Sequence, residues 1–307
     1  MSHTEPSWIG VGATVRGTHH RRQDLPNQDA IGWWPRPEDP VLETVGSPRA
    51  GPTESVLVVE GDMLAVALAD GHGHAKGVRA DSGARIAVDA ALDLVGSSCL
   101  ALRSADGARG VIASLPTRLA AVWTERVGRH LASFPLSDGE LSRVAALEGP
   151  RSRRALEVHP EIAYGTTLIL AVAAGGHLVV AQLGDGDLLV VDRVGKVMRP
   201  FERDPELVGN RTWSLASKDA AMRCKTSLVP EADHIDLILA ATDGYANSYA
   251  SATGFDQVAT DVLAVIRDHG VAVLGANLPA WLEATSDHGS GDDITVAILA
   301  RGDATLP

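Results

Sequence analysis

Short apolar runs alternate with longer amphipathic ones along this chain. Six runs predict strands: Met63–Ala69, Thr167–Ala174, His177–Leu183, Asp187–Asp192, Ile235–Thr242 and Ile294–Ala300. Those between Thr167 and Asp192 follow one another closely, the spacing of an antiparallel meander, and Arg193-Val194-Gly195-Lys196 predicts a further hairpin. Between the strands lie helical periodicities. Lys76 to Val95 places Ile86, Ala87, Ala90, Ala91, Leu94 and Val95 on one face. Leu115, Leu119, Val122 and Trp123 do the same in a second helix. Phe255, Val258, Val262, Val265 and Ile266 mark a third, with Gly270 as its stop, and Asn277 before Leu278-Pro279 predicts the N-cap of a short fourth.

The order of strand, two helices, several strands, helices and strand is α+β rather than regular βαβ alternation. The longest apolar region, Thr166 to Leu183, is broken by Gly175-Gly176 and reads as a hairpin, not a membrane span. Two stretches read as loop insertions in a single domain over residues 1–307 with a core of about 10–300. Pro35 to Glu54 is rich in proline, and Ser137 to Pro160 is rich in charge, with Arg151, Arg153 and Arg154 clustered.

Four of these strand signals have an Asp beside a Gly at one end. Met63–Ala69 runs into Asp70-Gly71, His177–Leu183 into Gly184-Asp185-Gly186, and Ile235–Thr242 into Asp243-Gly244, while Gly291-Asp292-Asp293 leads into Ile294–Ala300. Singly, each is a common turn dipeptide. Strands ending at one sheet edge would bring the carboxylates together, where they repel and resist ionisation. A divalent cation relieves that, and oxygen-only ligands suit Mg²⁺ or Mn²⁺. Two such ions can activate a water and clamp a phosphoryl group.

Composition narrows the partners. Of 307 residues, 45% are apolar and 21% charged, a globular balance. The net charge, 27 − 39 = −12, excludes a general attraction for nucleic acid or an anionic membrane. Two cysteines, Cys99 and Cys224, exclude a disulfide framework, and Met1 to Gly10 has no apolar stretch. A cytoplasmic protein is therefore expected. Nothing here sets an oligomeric state.

Asp70-Gly71-His72-Gly73, Gly165-Thr166-Thr167, Gly184-Asp185-Gly186, Thr242-Asp243-Gly244 and Asp292-Asp293-Ile294-Thr295-Val296 resemble, in order and spacing, the motifs of the PPM-type (2C-type) metal-dependent serine/threonine protein phosphatases. Asn27-Gln28-Asp29-Ala30 is similar to the family's N-terminal acidic motif, and the looser forms resemble a bacterial branch, as does Asn210-Arg211-Thr212-Trp213-Ser214-Leu215. The likeness runs from about Gly10 to Ala300.

This resemblance implies a four-layer α-β-β-α sandwich of two mostly antiparallel sheets flanked by helices. It implies that Asp70 bridges two Mn²⁺ or Mg²⁺ ions, with the Gly71 carbonyl on one, and that Asp243 and Asp292 hold the other. Asp29 would support the centre, Asp185 would bind a loosely held third ion, and a metal-bridging hydroxide would attack the phosphorus. Asp293 stands where many members have Asn, and it competes with Asp292 or serves the third site. Gln28 replaces the family's frequent Glu. The family's phosphate-binding Arg falls at Asp24; Arg22 is the expected substitute, with His20 as the alternative. His72 reads either as a proton donor to the leaving group or as a packing residue.

The blander readings are structural for Thr166 and Thr167, core for Trp33 and Trp34, and a solvated face for the arginine cluster. The implied activity is hydrolysis of phosphoserine and phosphothreonine on proteins, with a cognate serine/threonine kinase opposing it. The alternatives are a catalytically weak or inactive member acting as a phosphoprotein-binding regulator, and a hydrolase of small phosphorylated metabolites.

Overall fold

The structure, a computed structural model, describes residues 8–36, 57–174, 176–207, 211–230 and 232–302. Its strands are β1 (Trp8–Val15), β2 (Asp29–Trp34), β3 (Leu57–Gly61), β4 (Met63–Asp70), β5 (Leu168–Ala174), β6 (His177–Leu183), β7 (Asp187–Asp192), β8 (Val197–Met198), β9 (Lys225–Val229), β10 (Ile235–Ala241) and β11 (Ile294–Arg301). Its helices are α1 (Thr18–Arg22), α2 (Ala80–Ser97), α3 (Cys99–Leu102), α4 (Ala105–Ser133), α5 (Asp138–Glu148), α6 (Pro150–Val158), α7 (Ala220–Arg223), α8 (Asp243–Ala246), α9 (Ala252–His269) and α10 (Val271–His288).

The strands form two antiparallel sheets, ordered β3-β1-β11-β10-β7-β8 and β2-β4-β5-β6-β9. Period-2 alternation divides each strand between two cores. In β4, Leu64, Val66 and Leu68 point at the other sheet, where they meet Leu188, Val190, Ile238 and Leu299. Met63, Ala65 and Ala67 point outward onto α2 and α4, against Leu92, Leu119 and Trp123. On the opposite side, Val296, Ile298 and Leu239 pack under Phe255, Leu263, Leu274 and Leu282 of α9 and α10. The result is four layers, helix–sheet–sheet–helix, as the resemblance implied. Strands buried on both faces read as near-continuous apolar runs, which is why β4, β5, β6, β10 and β11 were visible in the sequence.

Several expectations need correction. Ser137 to Pro160 is not a loop but the helical pair α5 and α6. Ser137 caps α5, accepting from the Glu140 amide at 3.2 Å while the Ser137 amide donates to Glu140 Oε2 at 2.7 Å. Pro150 starts α6. Arg153 and Arg154 of the cluster pair with Glu157 on the outer face. Asn277 is not an N-cap. α10 begins at Val271, after Gly270 at φ +83°, and runs through Pro279, with Asn277 Nδ2 donating to the Val273 carbonyl at 2.8 Å. The predicted insertion at Pro35 to Glu54 lies largely outside the described residues. No helix among those described is long and apolar enough to cross a membrane. Cys99 and Cys224 are free thiols.

Candidate metal centre

The acids collect where the strands turn. Asp70 closes β4 and stands opposite Asp29, the first residue of β2, as a cross-strand pair. Its backbone is fixed from the start of β5. The Thr167 amide and the Thr166 hydroxyl donate to the Asp70 carbonyl at 2.9 and 2.8 Å, and the Asp70 amide donates to Thr167 Oγ1 at 3.0 Å. Both threonines thus position Asp70. Gly71 bridges to Thr166. A Cβ there would come within 2.7 Å of the Ala80 backbone and the Gln28 carbonyl oxygen, so only glycine lets the chain pass.

Asp185 lies in the turn after β6 and accepts from the Thr212 hydroxyl at 2.6 Å. Asp243 opens α8 and accepts from Asn247 Nδ2 at 2.9 Å. Asp292 precedes β11 and accepts from the Asp293 amide at 2.9 Å. A cavity of about 960 Å³ covers this edge, lined by Asp70, Gly71, His72, Asp185, Asp243 and Asp292.

These carboxylates disturb one another. Burial first, then the charges of Asp29, Asp243, Asp292 and Asp185, holds the Asp70 carboxyl well above the usual range. Burial, followed by Asp185 and Asp292, pushes Asp243 up to about 6. Asp185 and Asp292 are also raised, chiefly by burial. The Oε1 of Gln28, another lining residue, is buried without a hydrogen-bond partner. The donors are all oxygens, including the Gly71 carbonyl, and such a set fits a hard divalent cation. The acids ring the floor without closing on one point: among the described residues no three His, Cys, Asp or Glu side chains form a ready-made cage. Mutual repulsion and donor chemistry, rather than a closed cage, favour a cation here.

Asp29 and Asp293 sit differently. Asp29 is buried beneath the floor, and its Oδ2 accepts from the Thr242 and Thr295 hydroxyls at 2.7 Å each. Burial and then Asp293 hold its carboxyl well above the usual range. Asp293 is buried and outside the cavity lining. Its Oδ1 accepts from the Gly17 amide and its Oδ2 from the Gln28 amide, both at 2.7 Å. These bonds commit it to the N-terminal loop.

His20 lines the cavity, with Nδ1 2.6 Å from Asp293 Oδ2 and Nε2 3.9 Å from Asp292 Oδ1. The Nδ1 contact is a close ionic one. Burial works against a charge on His20, but Asp293 and then Asp292 outweigh it and raise its pKa. Arg22 is exposed and lies outside the cavity lining. His72 lines the cavity with Nε2 buried and unpartnered, and burial, then His74, pushes it down to about 4, so it is a neutral imidazole.

Sequence reasoning missed the hydroxyls of Thr242 and Thr295. Both stand inside the aspartate motifs, but a threonine at a strand end carries no chemical mark until its partner is known. That reasoning noted Arg211 only within a family-like segment and did not name Lys218; both line the cavity wall.

Comparison with known proteins agrees with this architecture. The catalytic domain of the serine/threonine protein phosphatase PstP, in complex with two manganese ions, superposes with a TM-score of 0.50 at 16% identity, covering 96% of this chain and 99% of that one. A bacterial serine phosphatase gives 0.52 at 14% identity over 95% and 96% of the two chains. Serine-threonine phosphatase 2C from Toxoplasma gondii gives 0.52 at 14% over 97% and 96%. No curated protein matches the sequence significantly. The family profile of protein phosphatase 2C matches residues 16–283, so the chain belongs to the protein phosphatase 2C family.

Proposed function

We propose that this protein is a metal-dependent phosphatase that hydrolyses phosphoserine and phosphothreonine on proteins. One observation carries the reading. Asp70, Asp185, Asp243 and Asp292, distant along the chain, line a single cavity, and each carboxyl is raised by burial and by neighbouring acids. Family membership and the manganese-bound PstP domain support it.

Asp70 and the Gly71 carbonyl, with Asp243 and Asp292, would hold Mn²⁺ or Mg²⁺, and Asp185 a further ion. Bound there, divalent cations supply an acidified water and charge neutralisation for a phosphoryl group. The chain's own residues do the rest. Thr166 and Thr167 lock the Asp70 backbone. Asp29 holds Thr242 and Thr295, and through them the ends of β10 and β11 that carry Asp243 and Asp292. His72, neutral and partly shielded, offers an N–H hydrogen bond to an oxygen in the cavity rather than a cationic charge. The substrate is a phosphorylated segment of another protein, with a serine/threonine kinase as the opposing activity.

The test is turnover of a phosphothreonine peptide with Mn²⁺ and with excess chelator. Metal-dependent turnover that Asp70→Asn abolishes is expected. Activity surviving full chelation would overturn the scheme. Phosphopeptide binding without turnover would favour a regulator, and selective turnover of sugar phosphates or nucleotides a metabolite hydrolase.

A further inference from the structure

A phosphate monoester entering this cavity meets a floor of carboxylates and needs a cation of the protein to orient it. The N-terminal loop has none to spare: His20 lines the cavity but is held against Asp293 and Asp292. Arg16 donates to the His20 carbonyl at 3.1 Å and lies 3.6 Å from Asp24. Arg21 is taken by Asp287, Thr18 and the Arg16 carbonyl. Arg22 is exposed and off the cavity.

The lysines and arginines that do line the cavity are Lys76, Arg211 and Lys218. Lys76 pairs with Glu148 at 3.5 Å. Arg211 and Lys218 make no ion pair among the described residues, although they stand on a firmly docked segment. The Leu215 amide donates to the Thr166 carbonyl at 2.9 Å, and Ser214 Oγ accepts from the Thr166 amide at 3.2 Å. Trp213 is held by Nε1 donating to Asp204 at 3.0 Å and by the Arg223 guanidinium 3.9 Å over its ring. Thr212, next to Arg211, donates directly to Asp185. A guanidinium without an ion-pair partner among the described residues is thus carried on an anchored wall beside the acidic floor. One of the anchors, Thr166, also positions Asp70.

We propose that Arg211 orients the substrate phosphate, with Lys218 adding a longer-range positive charge, in place of a cation from the N-terminal loop. This rests on the phosphatase reading above and deepens it. A guanidinium can grip two phosphate oxygens at once, whereas lysine offers a point charge. Arg211 is a substrate-contacting residue in this scheme, and Thr212 is a positioning one.

The experiment compares wild type, Arg211→Ala, Arg211→Lys, Lys218→Ala and Arg22→Ala with Mn²⁺ present. It reads kcat/KM on a phosphothreonine peptide and on para-nitrophenyl phosphate, and the affinity for inorganic phosphate by calorimetry. Arg211→Ala should lose about 10–100-fold in kcat/KM on both substrates and weaken phosphate binding by a similar factor. Arg211→Lys should recover part of both. Lys218→Ala should cost about 2–5-fold. Arg22→Ala should match wild type. Thermal unfolding should be unchanged in all four variants. Arg211→Ala binding phosphate as wild type does, or Arg22→Ala losing what Arg211→Ala keeps, would overturn the proposal. The phosphatase reading fails differently, through a wild type without metal-dependent turnover, and phosphate calorimetry still decides the role of Arg211 in that case.

Discussion

The Thr242 hydroxyl, at the end of β10, donates to the carboxylate of Asp29, at the start of β2, across the two sheets at 2.7 Å. Thr295 makes the same bond from β11, and its amide donates to Thr242 Oγ1 at 2.9 Å. One carboxylate thereby ties three strand ends at the rim that carries the acids. Asp29→Ala should take from two buried hydroxyls their shared charged acceptor, leaving Thr295 to Thr14 and Thr242 to a long 3.5 Å bond, and cost about 1–3 kcal/mol in urea unfolding. Asp29→Asn, which keeps an oxygen acceptor, should cost clearly less. Equal losses in the two variants would refute the clasp.

Asp292 and Asp293 are adjacent but do different work. Asp293 accepts the Gly17 and Gln28 amides inside the protein, while the Asp292 side chain is half exposed on the cavity. Asp293→Ala should destabilise the fold by about 2–4 kcal/mol, since it strands two buried amides. Asp292→Asn should leave the melting temperature of the metal-free protein within a few degrees of wild type and weaken Mn²⁺ binding at least about 10-fold. Calorimetry with Mn²⁺ and thermal unfolding separate the two.

The raised carboxyls give the metal-free protein an unusual pH response. Asp243 titrates near 6 when folded, against an ordinary value of about 4 when unfolded. Between these values the folded state binds more protons, so this group's contribution to stability is lost as pH rises through 6. In chelator at pH 7, Asp243→Asn should therefore be more stable than wild type by about 1–3 kcal/mol, with the gap closing near pH 4. Added Mn²⁺ should stabilise wild type but not the variant. A variant less stable than wild type in chelator would contradict this account of the floor.

Glu140 has the opposite sign. Arg79 Nε and Nη2 donate to its two carboxylate oxygens at 2.7 and 3.0 Å, and the Arg79 bond is the main reason its carboxyl falls to about 2. That stabilisation is present above the unfolded value near 4.3 and disappears as pH falls toward 2. Glu140→Gln should cost about 1–2 kcal/mol at pH 7 and about a quarter of that at pH 2.5. Because α6 lines the cavity through Ala155, the variant should also raise KM for a phosphopeptide more than for para-nitrophenyl phosphate.

The sequence disclosed the doubly buried strands and the acid at the end of four of them, since both leave local marks. β1 and β2 were missed for a physical reason. Gly10 interrupts the apolar pattern of β1 as a turn would, yet a Cβ there would meet the Trp33 ring at 2.4 Å, so the glycine makes room for an indole between the sheets. β9 is an edge strand of half-buried, mostly polar residues and shows no pattern. The helix α5 had its signature in Ser137 and Glu140, but the charge-rich composition around it argued for a loop. In the site, the cavity acids follow from strand periodicity alone. The division of labour between Asp292 and Asp293 does not, because it depends on amides that arrive from residues 17 and 28.

β1 and β11, from opposite ends of the described chain, lie side by side at the heart of one sheet. Asp292 enters the rim only with the last of these strands. During synthesis, then, the pocket is completed late: Asp29 and Asp70 can pair once β2 and β4 are made, but Asp292 joins them only with β11. A product clipped ahead of residue 292 would lack both Asp292 and the buried strand that joins β1 to β10, so the acid set and the sheet that carries it stand or fall together.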